Sequence, residues 1–238
     1  MSFSSQKRSA EVEIMDDLLC QGEVVDQTLR ELETINTLLG GNHVTLSGMD
    51  KLLRSAPPDK TLRIADLGCG GGDILRLIAR RARKRGQKLE LIGIDANPHI
   101  IAFAERHSKD YPEISYQSCN VFSEAMAAQE YDLILATLFF HHFEDAELSK
   151  LIAQLQSQSR YGLVINDLHR HWLAYDSIRL LTKLFSRSAM VQNDASLSVA
   201  RAFLRQDWKK ILQEAGISQY QLRWMWAFRW QVLIPGKT

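Results

Sequence analysis

One stretch limits what this chain can fold into more than any other: Arg63-Ile64-Ala65-Asp66-Leu67-Gly68-Cys69-Gly70-Gly71-Gly72-Asp73-Ile74-Leu75. A short apolar run reads as a buried strand, glycines crowd the positions after it, and a helical pattern begins at Asp73 or Ile74. Glycine is used where a backbone turns with φ > 0 or passes close to a ligand. A strand–glycine–helix turn also aims free backbone N–H groups into the crevice above the strand. Three glycine-loop chemistries compete for such a stretch. A P-loop requires GxxxxGK[ST], and no Lys-Ser/Thr pair follows these glycines. The dinucleotide fingerprint GxGxxG requires a third glycine at Asp73 if begun at Gly68, or at Leu75 if begun at Gly70. What remains is an acidic residue followed by Gly-x-Gly-x-Gly: Asp66, Gly68, Gly70 and Gly72.

From Leu62 onward strands and helices alternate, the pattern of a parallel α/β sheet. Strands are expected at Leu62–Leu67, Leu89–Ile94, Ile114–Cys119, Tyr131–Ala136 and Gly162–Ile165. Helices are expected from Asp73 to Lys84, from Asn97-Pro98 through His107, over Glu144–Ser157 and beyond Trp172. Residues 186–198 read as a polar connector, Gln206–Ala215 as a helix, and Gln219–Trp224 and Ala227–Ile234 as two closing strands. Ahead of the first strand, apolar spacing predicts a helix from Ala10 to about Leu39, ended by Gly40-Gly41-Asn42, then a short helix through Leu52-Leu53. These helices belong to no βα unit, so they read as a brace against the sheet or as a lid that excludes water. The expected organisation is a helical lid segment over residues 1–58 and a Rossmann-like α/β core over 59–238. That core carries a seven-stranded, mostly parallel sheet with helices on both faces and an antiparallel last strand.

The charge balance of 29 basic and 28 acidic residues argues against generic nucleic-acid or membrane-surface binding. No apolar run approaches the roughly 18 residues of a membrane span, and Met1–Arg8 lacks the apolar core of a secretory signal. Cys20, Cys69 and Cys119 are not in metal-ligand spacing and suit a reducing compartment. A cytoplasmic enzyme without a metal, monomeric or homodimeric, is the expectation. Arg80, Arg81, Arg83, Lys84 and Arg85 sit in the last turns of a helix, where cations suit the dipole and a solvated face is the simple reading.

In an open parallel sheet, ligands bind outside the carboxyl ends of the strands. Asp95 ends the second strand, where an acidic residue accepts hydrogen bonds from ribose hydroxyls. Asn120 follows the third strand and both donates and accepts, as an adenine edge requires. Thr137-Leu138-Phe139-Phe140-His141-His142-Phe143 follows the fourth, and Asn166-Asp167-Leu168-His169 ends the fifth. Neighbours in an extended chain point oppositely, so only one of His141 and His142 is expected to face a site there. Asp167 and His169, two apart, are expected to project the same way, with Asp167 orienting the imidazole. Trp224, Trp226, Phe228 and Trp230 alternate at period two, the mark of one sheet face.

Over residues of about 60–165 these features resemble the class I S-adenosylmethionine-dependent methyltransferases: Asp66-x-Gly-x-Gly-x-Gly, Gly-Ile-Asp95, Asn120 (where the family often has Asp) and Leu-Phe-Phe-His-His-Phe. The last segment is similar to the Leu-His-His signature of small-molecule enzymes such as the quinone-biosynthesis group. Asn166–His171 and the Leu-Leu-Gly-Gly ahead of Asn42 resemble methyltransferases of polyketide and phenolic-lipid pathways. The resemblance implies S-adenosylmethionine as cofactor, held by Asp66, Gly68, Gly70, Gly72, Asp95, Ala96, Asn120, Val121 and Thr137. It implies methyl transfer to a small molecule, by oxygen methylation of a phenolic or polyketide-derived acceptor. Carbon methylation of a quinone-like ring and a non-catalytic binding protein are the alternatives. A phenol needs a base at neutral pH, and His169, with Asp167 behind it, is the expected one, with His142 second.

Overall fold

In the computed structural model, residues 3–237 are described. After a 3-10 turn at Ile14–Asp16 come α1 (Glu23–Leu38) and α2 (Gly41–Leu52), then an alternating core. The core runs β1 (Leu62–Leu67), α3 (Asp73–Arg85), β2 (Leu89–Asp95), α4 (Pro98–His107), β3 (Ile114–Ser118), α5 (Glu124–Ala127), β4 (Tyr131–Thr137), α6 (Asp145–Gln158) and β5 (Ser159–Leu168). It continues through α7 (Trp172–Phe185), α8 (Ala189–Arg201) and α9 (Arg205–Glu214) to the hairpin of β6 (Gln221–Met225) and β7 (Arg229–Ile234). The strands form one seven-stranded sheet in the order β3-β2-β1-β4-β5-β7-β6. β1 to β5 are parallel, and β7 runs antiparallel to both its neighbours, as expected of the last strand. The chain reverses its direction of travel across the sheet between β1 and β4, which opens a crevice above their carboxyl ends.

Side chains alternate between two cores, as a sheet covered on both faces demands. Ala65, Ile134, Ala136, Leu163, Ile165 and Val232 point to the face covered by α6 and α9, through Leu151, Leu155, Trp208 and Ile211. Ile64, Leu133, Leu135, Val164 and Leu233 point to the face covered by α2 and α3, through Met49, Ile74, Leu75 and Ile78. α3 starts and stops at left-handed glycines, Gly72 (φ 74°) and Gly86 (φ 65°). Its basic residues are spoken for at the surface: Arg83 pairs with Glu113, and Arg81 and Arg85 pair with Asp50. Among the described residues, no helix is long and apolar enough to cross a membrane.

The structure differs from the sequence expectation in three places. The helix predicted from Ala10 starts only at Glu23, after Gly22 at φ 83°. Upstream, the Asp194 carboxylate takes the Ile14 and Met15 N–H groups at 3.0 Å each, which replaces helical bonding there. Most of the expected polar connector over residues 186–198 is helical: it forms α8 together with residues 199–201, capped by the Ser188 hydroxyl on the Val191 N–H. Its polar composition hid a buried stripe of Met190, Val191, Leu197, Val199 and Ala200. α2, expected as a short helix through Leu52-Leu53 after a break at Gly40-Gly41-Asn42, begins already at Gly41, spans Gly41–Leu52 and lies directly on the sheet.

Gly48 makes that close approach possible. A Cβ there would stand 2.7 Å from Val164 Cγ1 and 2.8 Å from Leu233 Cδ2. Gly48→Val is therefore expected to lose about 1–3 kcal/mol by overpacking, seen as a lower urea midpoint at unchanged slope. An unchanged or higher midpoint would show that α2 is free to back away.

Candidate active site

The carboxyl ends of β1, β2 and β4 open into a cavity of about 910 Å³. α1, α7, α8, the 12–18 segment and the β6–β7 turn wall it on the other sides. The glycine loop forms its floor. Gly68, Gly70 and Gly72 all have left-handed φ (63°, 50° and 74°). Two of them are also closed by packing: a Cβ on Gly68 would lie 2.2 Å from Phe139 Cδ2, and one on Gly72 2.1 Å from the Tyr116 hydroxyl. A Cβ on Gly70 would meet only Leu29 at 3.8 Å, so this glycine leaves the loop open toward the cavity. The Gly70 N–H donates to Asp95 Oδ2 at 3.3 Å, and the Asn97 N–H to Asp95 Oδ1 at 3.0 Å, which fixes the carboxylate against the loop.

This floor carries negative charge without a matching cation. Asp66 is buried and its Oδ1 has no hydrogen-bond partner. Burial pushes its carboxyl well above the usual range, with Asp73 and Asp95 adding to the effect. Burial, then Glu33, pushes Asp73 up to about 6, and burial raises Asp95. Arg76 is committed elsewhere, to the Gly71 carbonyl at 2.5 Å and Glu33 at 3.0 Å. Ala96, Asn120, Val121 and Thr137 line the same cavity. Asn120 Oδ1 accepts the Phe122 N–H at 2.9 Å, and Thr137 shares a hydroxyl hydrogen bond with Thr45 at 2.8 Å. Cys69 is buried, and burial pushes its thiol well up, so it fills space as a small apolar side chain.

A polar wall faces this floor, and its pairing is not the expected one. Asp167 is fully buried and lies outside the cavity lining. Its Oδ1 receives the His141 ring Nδ1 at 2.8 Å, so its imidazole partner is His141 and not His169. Its Oδ2 accepts the Phe140 and His141 N–H groups at 2.9 and 3.2 Å. His169 also lies outside the lining; its Nδ1 accepts the Trp224 indole N–H at 3.2 Å, and its ring packs against Trp230 at 5.1 Å between centroids. Burial, then His171, pushes His169 down to about 4. The chain does not stay extended after β4: Leu138 turns at φ 54°, and Phe140–His142 make a 3-10 turn. Both His141 and His142 therefore line the cavity, where only one was expected to.

The N-terminal segment supplies residues that the sequence reading missed. Asp16 Oδ1 meets His142 Nδ1 at 2.6 Å, and Asp16 Oδ2 meets Arg201 Nη1 at 2.6 Å. Glu13 is buried; its Oε2 accepts the Ser198 hydroxyl at 2.8 Å, while its Oε1 has no partner. Burial pushes Glu13 up to about 7. Acidic side chains three apart in an apolar periodic stretch look like the wet face of a helix, and Gly22 was the one local sign of a break. Leu32, Ile35, Leu39, Ile178, Leu181 and Phe228 make the remaining walls apolar. The three non-glycine residues with positive φ among those described, Leu138, Ala227 and Phe228, all line this cavity. Such strain concentrates at functional sites. Trp226 and Phe228 lie in the β6–β7 turn, so only Trp224 and Trp230 of the alternating aromatics pair across the strands.

Comparison with known proteins agrees with this geometry. Residues 64–162 match the Methyltransf_25 family, described as a methyltransferase domain. The ubiquinone biosynthesis O-methyltransferase of Azorhizobium caulinodans is 31% identical over 96 residues, 40% of this chain and 36% of that protein. Its counterpart in Ruegeria sp. is 32% identical over 117 residues, 49% of this chain and 44% of that one. The chain thus spans less than half the length of these curated relatives. In structure, the plantazolicin methyltransferase in complex with SAH superposes with a TM-score of 0.63 at 18% identity, covering 90% of this chain and 89% of that one. Human N-acetylserotonin methyltransferase in complex with SAM gives 0.66 at 17%, covering 97% and 60%. At these identities the superpositions speak for the fold. Residues 64–162 thus match a methyltransferase domain, and the chain as a whole has the fold of the S-adenosylmethionine- and S-adenosylhomocysteine-bound methyltransferases it superposes on.

Proposed function

We propose that the protein methylates a hydroxyl group of a small phenolic or polyketide-derived acceptor. One observation carries the reading: the glycine cradle and a wall of carboxylate-held imidazoles face each other across a single, largely apolar cavity. The cofactor fits the residues present. Gly70 leaves room for a backbone approach, Asp95 is placed to accept ribose hydroxyls, and the orphaned Asp66 Oδ1 offers an acceptor to an ammonium group. Bound there, S-adenosylmethionine supplies an electrophilic methyl on a sulfonium centre. Burial holds Asp66, Asp73 and Asp95 toward their neutral forms, and the cationic end of such a ligand would favour their ionised ones.

The chain's own residues do the rest. Asn120 and Val121 border the adenine side. The apolar walls orient the acceptor, and orientation of two bound reactants is worth roughly 7–11 kcal/mol of barrier. His141, fixed through Nδ1 by Asp167, and His142, fixed through Nδ1 by Asp16, form the end at which the acceptor hydroxyl binds and loses its proton. α1 and the segment ahead of it act as the cover that keeps water out. The names of the curated relatives favour oxygen as the acceptor atom. The near-even charge of the chain favours a small molecule over a nucleic acid.

Incubating cell extract with isotopically labelled S-adenosylmethionine and the enzyme is expected to yield one labelled small product whose fragmentation places the methyl on oxygen. A methyl on ring carbon would replace this reading with carbon methylation. Asp95→Ala removes charge-assisted hydrogen bonds of about 1.5–3 kcal/mol, so calorimetry is expected to show S-adenosylhomocysteine bound roughly 10–100-fold more weakly. His141→Ala is expected to cut kcat by about 10²–10⁴. His169→Ala is expected to leave it within a factor of a few, and NMR to find the His169 imidazole titrating near pH 4 in the wild-type chain. The opposite ranking of the two variants would return the base to His169.

A further inference from the structure

One corner of the cavity brings an imidazole nitrogen up to an unpartnered carboxyl oxygen. His141 gives its Nδ1 side to Asp167 at 2.8 Å. That leaves the ring's other nitrogen, Nε2, turned to the rest of the corner. The group in front of it is Glu13 Oε1, 3.6 Å away and beyond hydrogen-bond range. Glu13 is 5% exposed, and this oxygen has no partner. Leaving a buried acceptor unmatched costs about 1–3 kcal/mol, so such an atom calls for a ligand. His142 Nδ1 lies 4.0 Å from the same oxygen. Glu13, His141 and His142 each bring a donor atom within 4.8 Å of the other two.

The surrounding charges point the same way. Glu13, Asp16 and Asp167 bring three carboxylates to this corner, against the guanidinium of Arg201. Arg201 Nη1 is 3.7 Å from Glu13 Oε1, but its hydrogen bonds go to Asp16 at 2.6 Å and to the His141 and His142 carbonyls at 3.2 and 2.7 Å. The buried Arg229 guanidinium, within electrostatic reach of Asp167, is the second cation here, so carboxyl groups outnumber guanidiniums three to two.

We propose that Glu13, His141 and His142 hold a divalent transition-metal ion of the zinc class, with an open coordination position toward the cavity. Two imidazoles and one carboxylate are a donor set that zinc and iron accept, and three protein ligands with a free position mark sites that bind a reactant. Ligand atoms about 2.0–2.1 Å from a tetrahedral ion stand roughly 3.3 Å apart. The observed 3.6 and 4.0 Å would close by about 0.3 and about 0.7 Å on binding. Asp167, bonded to Nδ1 of His141 while Nε2 faces Glu13, is the outer carboxylate that orients a metal-bound histidine; His142 Nδ1 would exchange its contact with Asp16 for the ion. With an ion bound, the imidazole nitrogens are taken, and an acceptor hydroxyl in the open position would be made more acidic by the ion instead of being deprotonated by a histidine; in this role the inference rests on the methyl transfer proposed above. No local spacing signals it, because the carboxylate comes from the N-terminal segment and the histidines lie some 130 residues further on.

The test uses the full chain, stripped with a chelator and titrated with Zn²⁺ by calorimetry and with Co²⁺ by visible absorption. S-adenosylhomocysteine binding is measured on the same samples. One ion per chain is expected at micromolar affinity or better, with cobalt bands of a four- or five-coordinate site, and no comparable uptake of Mg²⁺. Glu13→Gln and His142→Ala are expected to weaken uptake at least tenfold while still binding S-adenosylhomocysteine, which shows that they fold. His99→Ala and Cys20→Ser are expected to leave uptake unchanged. No uptake at millimolar metal by a chain that binds S-adenosylhomocysteine, or uptake indifferent to Glu13 and His142, overturns the ion site and leaves the methyltransferase reading standing. Uptake without S-adenosylhomocysteine binding supports the ion and sinks that reading instead.

Discussion

A single buried carboxylate ties the two halves of the catalytic end together. Asp167 has no exposed surface and accepts hydrogen bonds from the Phe140, His141 and Leu168 N–H groups and from the His141 ring. Burial alone would raise its pKa, yet His141 and these donors hold it below the ordinary carboxylate range. The bonds fasten the turn after β4 to the end of β5. They orient the His141 ring, and through that turn they place Phe139 behind Gly68. A carboxylate this dry tolerates no loss of partners, because an unpaired buried charge costs several kcal/mol. The geometry of the cavity is accordingly built into the sheet and does not rest on a flexible loop.

The N-terminal segment is fixed to that frame by long-range polar contacts. Arg8 reaches the His141 and Phe143 carbonyls at 3.0 and 2.9 Å and pairs with Asp145 at 2.6 Å. Asp194 of α8 holds the backbone at Ile14 and Met15. Asn97 of α4 reaches the Cys20 carbonyl at 3.0 Å. The segment is therefore part of the site and not merely a brace.

What was legible in the sequence, and what was not, follows from the range of the interactions involved. β1, β4 and the glycine turn were legible because period-two apolarity and left-handed glycines act within a few residues. The place of Asp95 and Asn120 on the cavity lining was legible because both follow strand ends, where an open sheet leaves its crevice. The partner of Asp167 was misread because the prediction assumed extended chain beyond the strand, where Leu138 and a 3-10 turn redirect both histidines. Glu13 and Asp16 were invisible because their partners, Ser198, Arg201 and His142, are more than a hundred residues away. α8 was missed because a helix buried on one stripe and wet elsewhere can be polar on average.

The account stands or falls on where the cofactor sits. A crystal structure of the chain grown with S-adenosylhomocysteine tests this most directly. The account predicts the ribose hydroxyls on Asp95, the backbone of Gly68–Gly72 against the amino-acid portion, and the sulfur facing His141 and His142 across the cavity. A ligand bound elsewhere, or a glycine loop left empty at saturating concentration, would contradict it.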